Sequence, residues 1–373
     1  MASPRFVGGP GTAAAAVLTL GICIAGVGFP TGIRATFPEQ NRLQTQAEQF
    51  QPQPPSFARM LRDQAETDRV WRAASAGHMQ MTKISYRSSV GDLDIPAFVF
   101  QPLALRGAKA HPAIVWVHEN IRGHLYEHYI PFIREATARG FVVIAPEYRG
   151  SIGYGKTFYD AIDYGGAEVD DVVTAVSVLT TRYPQVDPSR VAIIGWSHGG
   201  MITLLSVFRN PVTFKAAVAI VPVANLFQRL ASKGVEQRRV FDPQNRFGGL
   251  PSEKPHIYRE RSPVFLVDKL QVPLLVHLAA NDTDVTMEEG LQLIDALRAR
   301  QPILARTKMY EKPSGGHLFD RLVNPTTWQP ESTPELRDSW SRVWSFLGSN
   351  LESPNDGVSR HVPAPAERAL TVQ

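Results

Sequence analysis

One hexapeptide restricts what this chain can fold into more than any other feature: Gly195-Trp196-Ser197-His198-Gly199-Gly200. It follows the apolar run Val191-Ala192-Ile193-Ile194 and leads into a stretch of helical character, Met201 to Phe208. A strand, a glycine-bracketed serine and a helix, in that order, spell a G-x-S-x-G nucleophile elbow in the context the motif requires. The serine sits on a sharp turn. Gly195 and Gly199 stand where a Cβ would hold strand and helix apart. The helix behind the turn aims its free N–H groups at any negative charge that develops beside the serine.

A serine hydroxyl needs a base to take its proton and an acid to orient that base. Around such an elbow the chain order is serine, acid, histidine. Arg306 to Tyr310 reads as the last strand, and the loop after it carries Gly315-Gly316-His317. His317 is the candidate base. The acid belongs one strand earlier, after the apolar run Val272 to Leu278. The loop there offers Asp282 and Asp284. Asp282 is favoured and Asp284 stays open. The carboxylate not used is expected to form an Asx-turn or to cap the helix beginning near Met287.

Short apolar runs alternate with helical segments from Ala113 to Leu347. That alternation builds an α/β fold with a mostly parallel sheet and helices on both faces. Function then sits at the carboxyl ends of the strands, where all three candidates lie. The catalytic domain is expected over residues 81–350, opening on a hairpin, Met81 to Phe100, that turns at Gly91-Asp92. Residues 36–80 read as a Gln/Pro-rich linker followed by a helix, Ser56 to Ala76. Residues 351–373 read as a disordered tail. In residues 1–35, an apolar stretch from Thr12 to Phe29 behind Arg5 reads as a signal peptide or short membrane anchor. The expectation is export, with the domain outside the cytoplasm and membrane attachment as the alternative to cleavage.

The net charge of +4 is spread thinly over 373 residues, which gives no footprint for nucleic acid. The single cysteine, Cys23, lies in the N-terminal apolar stretch, so the domain has no thiol nucleophile and no disulfide. No cofactor and no metal are expected. Two rival readings remain. His124-Leu125-Tyr126-Glu127-His128 matches the H-x-x-E-H zinc motif. An inactive hydrolase fold serving as a binding protein is the other, and the complete serine, acid and histidine set argues against it.

From Tyr86 to Leu347 the chain resembles the catalytic domain of the prolyl oligopeptidase family of α/β-hydrolases. The likeness rests on APEYRGSIGYGKTFYDAI, GGAEVDDVVTAVSVL, VDPSRVAIIGWSHGGMITLL and FGGLPSEKPHIYRERSPVFLVDKLQVPLLV. It implies that Ser197 is the nucleophile and His317 the base. It also implies that Asp282, with Val285 three residues on, is the acid. Two departures stand out. Leu278 follows His277 where the family has a His-Gly pair. The loop His118-Glu119-Asn120-Ile121-Arg122-Gly123-His124 looks more like that of dienelactone hydrolases, a family with a cysteine nucleophile.

An oxyanion hole needs two donors about 3 Å from the developing charge. The N–H of His198 is one candidate, and that of Glu119 or Asn120 the other. The Glu119 carboxylate is a candidate to touch Ser197 or a substrate cation, against a salt bridge to Arg122 or Arg149. Trp196 and Tyr154 are candidates to line the substrate pocket. The insertion Val223 to Gln271 carries Phe227, Phe241, Phe247 and Tyr258 with Arg238, Arg239 and Arg246, and is expected to cover the Ser197 pocket. About 80 residues precede the domain, too few for a β-propeller. The chain therefore reads as a serine hydrolase that cleaves an ester or peptide bond of a small-molecule ester or peptide through an acyl-enzyme, its site open to bulky substrates and limited only by this short cap. Small or medium acyl groups and acidic leaving groups suit the cap, and esters should turn over at least as readily as amides.

Overall fold

A computed structural model describes residues 56–233 and 246–351. Thr12 to Phe29, the Gln/Pro linker, the tail from residue 352, and Arg238, Arg239 and Phe241 lie outside them. No helix among the described residues is long and apolar enough to cross a membrane.

The described chain opens on α1 (Phe57–Ser75), whose first turn is capped by the Ser56 hydroxyl accepting from the N–H of Arg59. Strands β1 (Gln80–Arg87) and β2 (Asp94–Gln101) form the expected antiparallel hairpin. Then come β3 (His111–Val117), α2 (Ile130–Ala138), β4 (Val142–Pro146), α3 (Lys156–Asp160), α4 (Ala167–Arg182), β5 (Val186–Trp196) and α5 (Ser197–Arg209). The second half holds β6 (Ala216–Ile220), α6 (Leu226–Ser232), α7 (Pro255–Glu260), β7 (Leu274–Ala279), α8 (Met287–Arg300), β8 (Ala305–Tyr310) and α9 (Pro334–Leu351).

The eight strands lie in the order β1-β2-β4-β3-β5-β6-β7-β8. β2 runs antiparallel to both neighbours, and every pair from β4 to β8 across the sheet is parallel. Helices cover both faces, so the middle strands are mostly apolar, and β3, β4, β6 and β7 are buried at every position. Alternate side chains feed two separate cores. Val115, Val117, Ile193 and Val276 pack with α4, α5 and α8. Ile114, Trp116, Ile194 and Trp196 pack with α1, α2 and α9. This is the α/β-hydrolase arrangement expected from the sequence.

The insertion departs from expectation. Its described parts form α6, α7 and two short 3-10 turns. Phe247 and Tyr258 are buried, 4.6 Å apart between ring centroids, and belong to the core on the α5 face. They do not form a cover over Ser197. Burying such rings stabilises the domain by roughly 1.5–3 kcal/mol each, which outweighs display on a cap.

Candidate active site

The elbow is built as the motif demands. β5 ends at Trp196 and α5 starts at Ser197. Ser197 holds a φ of +53°, a left-handed conformation costing of order 1–3 kcal/mol for a residue with a Cβ. The surroundings fix it there. A Cβ on Gly195 would collide with the Gly199 carbonyl, and one on Gly199 with the carbonyls of Val117 and His118. The carbonyl of Ser197 accepts from the N–H of Val223 at 3.1 Å. The elbow is thus clamped between the loops after β3 and β6.

The loops after β7 and β8 bring Asp282 and His317 together. His317 Nδ1 donates to Asp282 Oδ2 at 2.6 Å. Asp282 Oδ1 accepts from the N–H groups of Asp284 (2.8 Å) and Val285 (2.9 Å). The two loops are also stitched directly, with Asn281 Nδ2 donating to the Pro313 carbonyl at 3.0 Å. The Asx-turn therefore belongs to Asp282 itself, not to the unused carboxylate. Asp284 is exposed, and its carbonyl accepts from Arg229. The cap of α8 is Thr286. One carboxylate thus serves both the turn and the histidine, which leaves the Asp284 carboxylate without a part in either.

The loop from His118 to Leu125 lies against the elbow, and the run Glu147-Tyr148-Arg149-Gly150-Ser151 after β4 holds it. The Tyr148 hydroxyl donates to the carbonyls of Asn120 (2.6 Å) and His118 (3.2 Å). Glu147 Oε1 accepts from the Leu125 N–H at 2.9 Å. His118 Nδ1 donates to the Glu119 carbonyl at 2.8 Å, and its Nε2 accepts from Ser151 at 3.0 Å. Arg149 anchors the run to α4 through two bonds to the Asp171 carboxylate, 2.8 and 2.7 Å. Burial pushes His118 down to about 3 and Glu147 up to about 8. At neutral pH their 3.6 Å contact is therefore between uncharged groups. Asn120 takes a φ of +67°, and among the described residues no acceptor takes its N–H.

Beneath the elbow lies a network the sequence reading missed. The Arg321 guanidinium, fully buried, bonds Asp320 Oδ1 at 2.7 Å and Glu119 Oε2 through two nitrogens. Glu119 Oε1 meets His128 Nε2 at 3.2 Å. Asp320 Oδ2 accepts from the Trp196 indole at 2.6 Å, and the Asp320 carbonyl from that of Trp340 at 2.6 Å. Burial opposes both charges, yet Arg321 holds Glu119 well below the usual carboxylate range, and Glu119 and Asp320 hold Arg321 charged. One network therefore ties the loop after β3, the residue preceding Ser197 and the segment just past His317. The only local signal was an Asp-Arg pair behind Leu318-Phe319.

These contacts correct several expectations. The Glu119 side chain pairs with Arg321 and His128, not with Ser197, Arg122 or Arg149. Trp196 is fully buried between Trp116 and Tyr129, with ring centroids 4.9 and 4.8 Å away, so it is core, not pocket lining. Tyr154 lies against Phe158 and beneath Lys83, and among the described residues no ring contact or hydrogen bond joins it to the elbow. His198 is buried with Nε2 3.5 Å from the Glu168 carboxylate. The H-x-x-E-H segment is a loop with a single 3-10 turn, Glu127–Tyr129. Glu127 accepts from Thr67 and His128 faces Glu119, so the two histidines do not share a helical face. Among the described residues no cluster of three His, Cys, Asp or Glu could hold a metal ion.

Known proteins resemble this chain in sequence and in shape. An uncharacterised peptidase of Bacillus subtilis is 29% identical over 248 residues, covering 65% of this chain and 36% of the relative. The human acylamino-acid-releasing enzyme is 28% identical over 248 residues, covering 63% and 33%. The chain thus spans about a third of the length of these relatives. Among solved structures, the Pyrococcus horikoshii acylaminoacyl peptidase superposes with a TM-score of 0.61 at 19% identity, covering 79% of this chain and 45% of that one. A puromycin-hydrolysing peptidase of Mycobacterium tuberculosis gives 0.58 at 26%, covering 72% and 39%. The likeness runs through sequence and fold alike, and the model of the prolyl oligopeptidase family matches residues 130–329: this chain belongs to that family.

Proposed function

We propose that the chain is a serine peptidase of this family, working through an acyl-enzyme on Ser197. The observation that carries the reading is the His317–Asp282 bond, with both Asp282 oxygens occupied. An aspartate so fixed holds the imidazole with Nδ1 protonated and leaves Nε2 free as a base. Ser197 Oγ attacks the scissile carbonyl while Nε2 of His317 takes its proton. The oxyanion forms at the head of α5, where the His198 N–H is one of the helix's unpaired donors. The N–H of Asn120 or Glu119 supplies the second. His317 then protonates the leaving group, and water repeats the sequence to release the acid. Ser197 Oγ has no hydrogen bond to His317 among the described residues, a looseness common before substrate binds.

The relatives' names point to acylated or short peptides as substrates, and the same machinery accepts aryl esters, whose leaving groups need less protonation. Export, read from Thr12 to Phe29, is part of the proposal. Sequencing the N-terminus of the native protein tests it: a cytosolic form beginning at Met1 would count against it. For the chemistry, a fluorophosphonate probe should label wild type and not Ser197→Ala, with both folded by circular dichroism. Labelling of the alanine variant at the wild-type rate would refute the assignment.

A further inference from the structure

Two arginines converge beside the candidate oxyanion loop, and neither forms a salt bridge among the described residues. Arg122 belongs to that loop, and its guanidinium lies over the Tyr159 ring, 3.6 Å from the centroid. Its polar neighbours are the Tyr159 hydroxyl and the Asp160 carboxylate, both of which favour its charge, while its Nη1 is screened from water and unpartnered. Arg246 comes from the insertion. Its Nη1 donates to the Ile162 carbonyl at 3.0 Å, while its Nε is buried and unpartnered. Both side chains thus settle on the segment from Tyr159 to Ile162. The acid nearest Arg122, Asp160, is held by Lys156. Arg246 adjoins Phe247, which packs on Tyr164, which in turn lies 4.9 Å from the His198 ring next to Ser197.

Two guanidiniums side by side repel, and a buried donor without an acceptor bears its full desolvation cost. Burial, with the positive charge of Arg246 adding to it, brings Arg122 down to about 10. Stacking on Tyr159 fixes the plane of the Arg122 guanidinium, and a planar anion would meet such a plane at its edge through two parallel N–H bonds. We propose that Arg122 and Arg246 form an anion subsite of the active site, and that the preferred substrates carry a carboxylate there. The proposal rests on the Ser197 reading and adds the substrate class. Phosphate would suit the charge, but the flat, single-edged presentation favours carboxylate.

The test uses the full chain and two matched substrate pairs. Succinyl- and acetyl-capped alanyl p-nitroanilides place the carboxylate, or its absence, on the acyl side. Quenched fluorescent peptides ending in a free acid or an amide do so on the leaving side. The carboxylate member of at least one pair should show a kcat/KM higher by about tenfold or more at low salt, and added salt should erode that ratio. In Arg122→Gln and in Arg246→Gln the ratio should fall toward one, whatever becomes of the absolute rates. Equal kcat/KM within both pairs overturns the proposal, as does a preference that survives both substitutions. If no substrate turns over and no probe labels Ser197, the functional reading fails instead. Calorimetry with succinate then decides the subsite alone: binding to wild type that both variants lose supports it, and no binding overturns it.

Discussion

Arg321 and Arg122 flank the same loop and live in opposite worlds. Arg321 lies on the floor beneath the elbow, fully buried, bonded to Glu119 and Asp320. Arg122 lies on the rim, half-buried, stacked on the Tyr159 ring and in no salt bridge among the described residues. Removing two charges from water is costly, and their attraction offsets this only when the remaining lone pairs and protons are satisfied. The floor meets that condition within the chain, through Trp196 and His128. The rim does not, and a group from outside is needed to complete it. The contrast separates charge that organises a site from charge that reads a ligand.

The sharpest way to probe this contrast is at Asp282, which belongs to neither: it is closed by backbone on one oxygen and open to His317 on the other. Asp282→Asn should lower kcat by about 10⁴-fold by presenting the wrong tautomer, with little loss of thermal stability. Asp284→Asn should leave kcat within about threefold, because its carboxylate touches neither the turn nor the histidine. A larger loss at Asp284 would mean the acid had been misassigned. Next in size is Arg321→Met. It strands Glu119 and Asp320 as unpaired buried charges, and urea unfolding should show a loss of about 3–5 kcal/mol. Wild-type stability in that variant would erase the distinction between floor and rim.

A pH experiment reaches the joint between the two regions. Glu147 is raised to about 8 from an ordinary 4.5, so the folded state holds a proton the unfolded state releases. Its contribution to stability is complete below about pH 4.5 and is lost as pH climbs toward 8. His118, lowered to about 3, acts with the opposite sign: its contribution is complete above about 6.5 and is lost as pH falls. Above pH 6.5 only the Glu147 slope remains. Glu147→Gln keeps an acceptor for the Leu125 N–H and removes that slope, so wild type should weaken relative to the variant between pH 6.5 and 8. Parallel unfolding midpoints across that range would count against a proton on Glu147. The smallest effect belongs to the rim. Arg122→Gln should shift stability by less than about 0.5 kcal/mol.

The elbow and the strands along the chain were legible because each is a local pattern, glycine spacing or an apolar run; Asp282 and His317 were legible from their place after successive strands and, for Asp282, from the family resemblance carried by Val285. The pocket was misread at Trp196 for a reason the sequence contained. Side chains alternate along a strand, so with Gly195 packed against α5, Trp196 had to face the other core. The floor was not legible. Glu119 and Arg321 stand 202 positions apart, and no spacing rule links a loop after the third strand to one after the eighth. The run Glu147 to Ser151 was recognisable as a family fingerprint, yet its task of holding the His118–Leu125 loop emerged only from its hydrogen bonds.

The helix that starts at Ser197 is buried at every position through Phe208. Its amides therefore reach solvent deuterium only when the whole domain opens, and their exchange should be as slow as global unfolding allows. Around it, Arg122 and Asp284 sit in loops at the surface of the domain. The N–H groups at the head of that helix thus keep their aim through every local fluctuation of the rim, so the site can breathe to admit and release a substrate without disordering the donors that face the reaction.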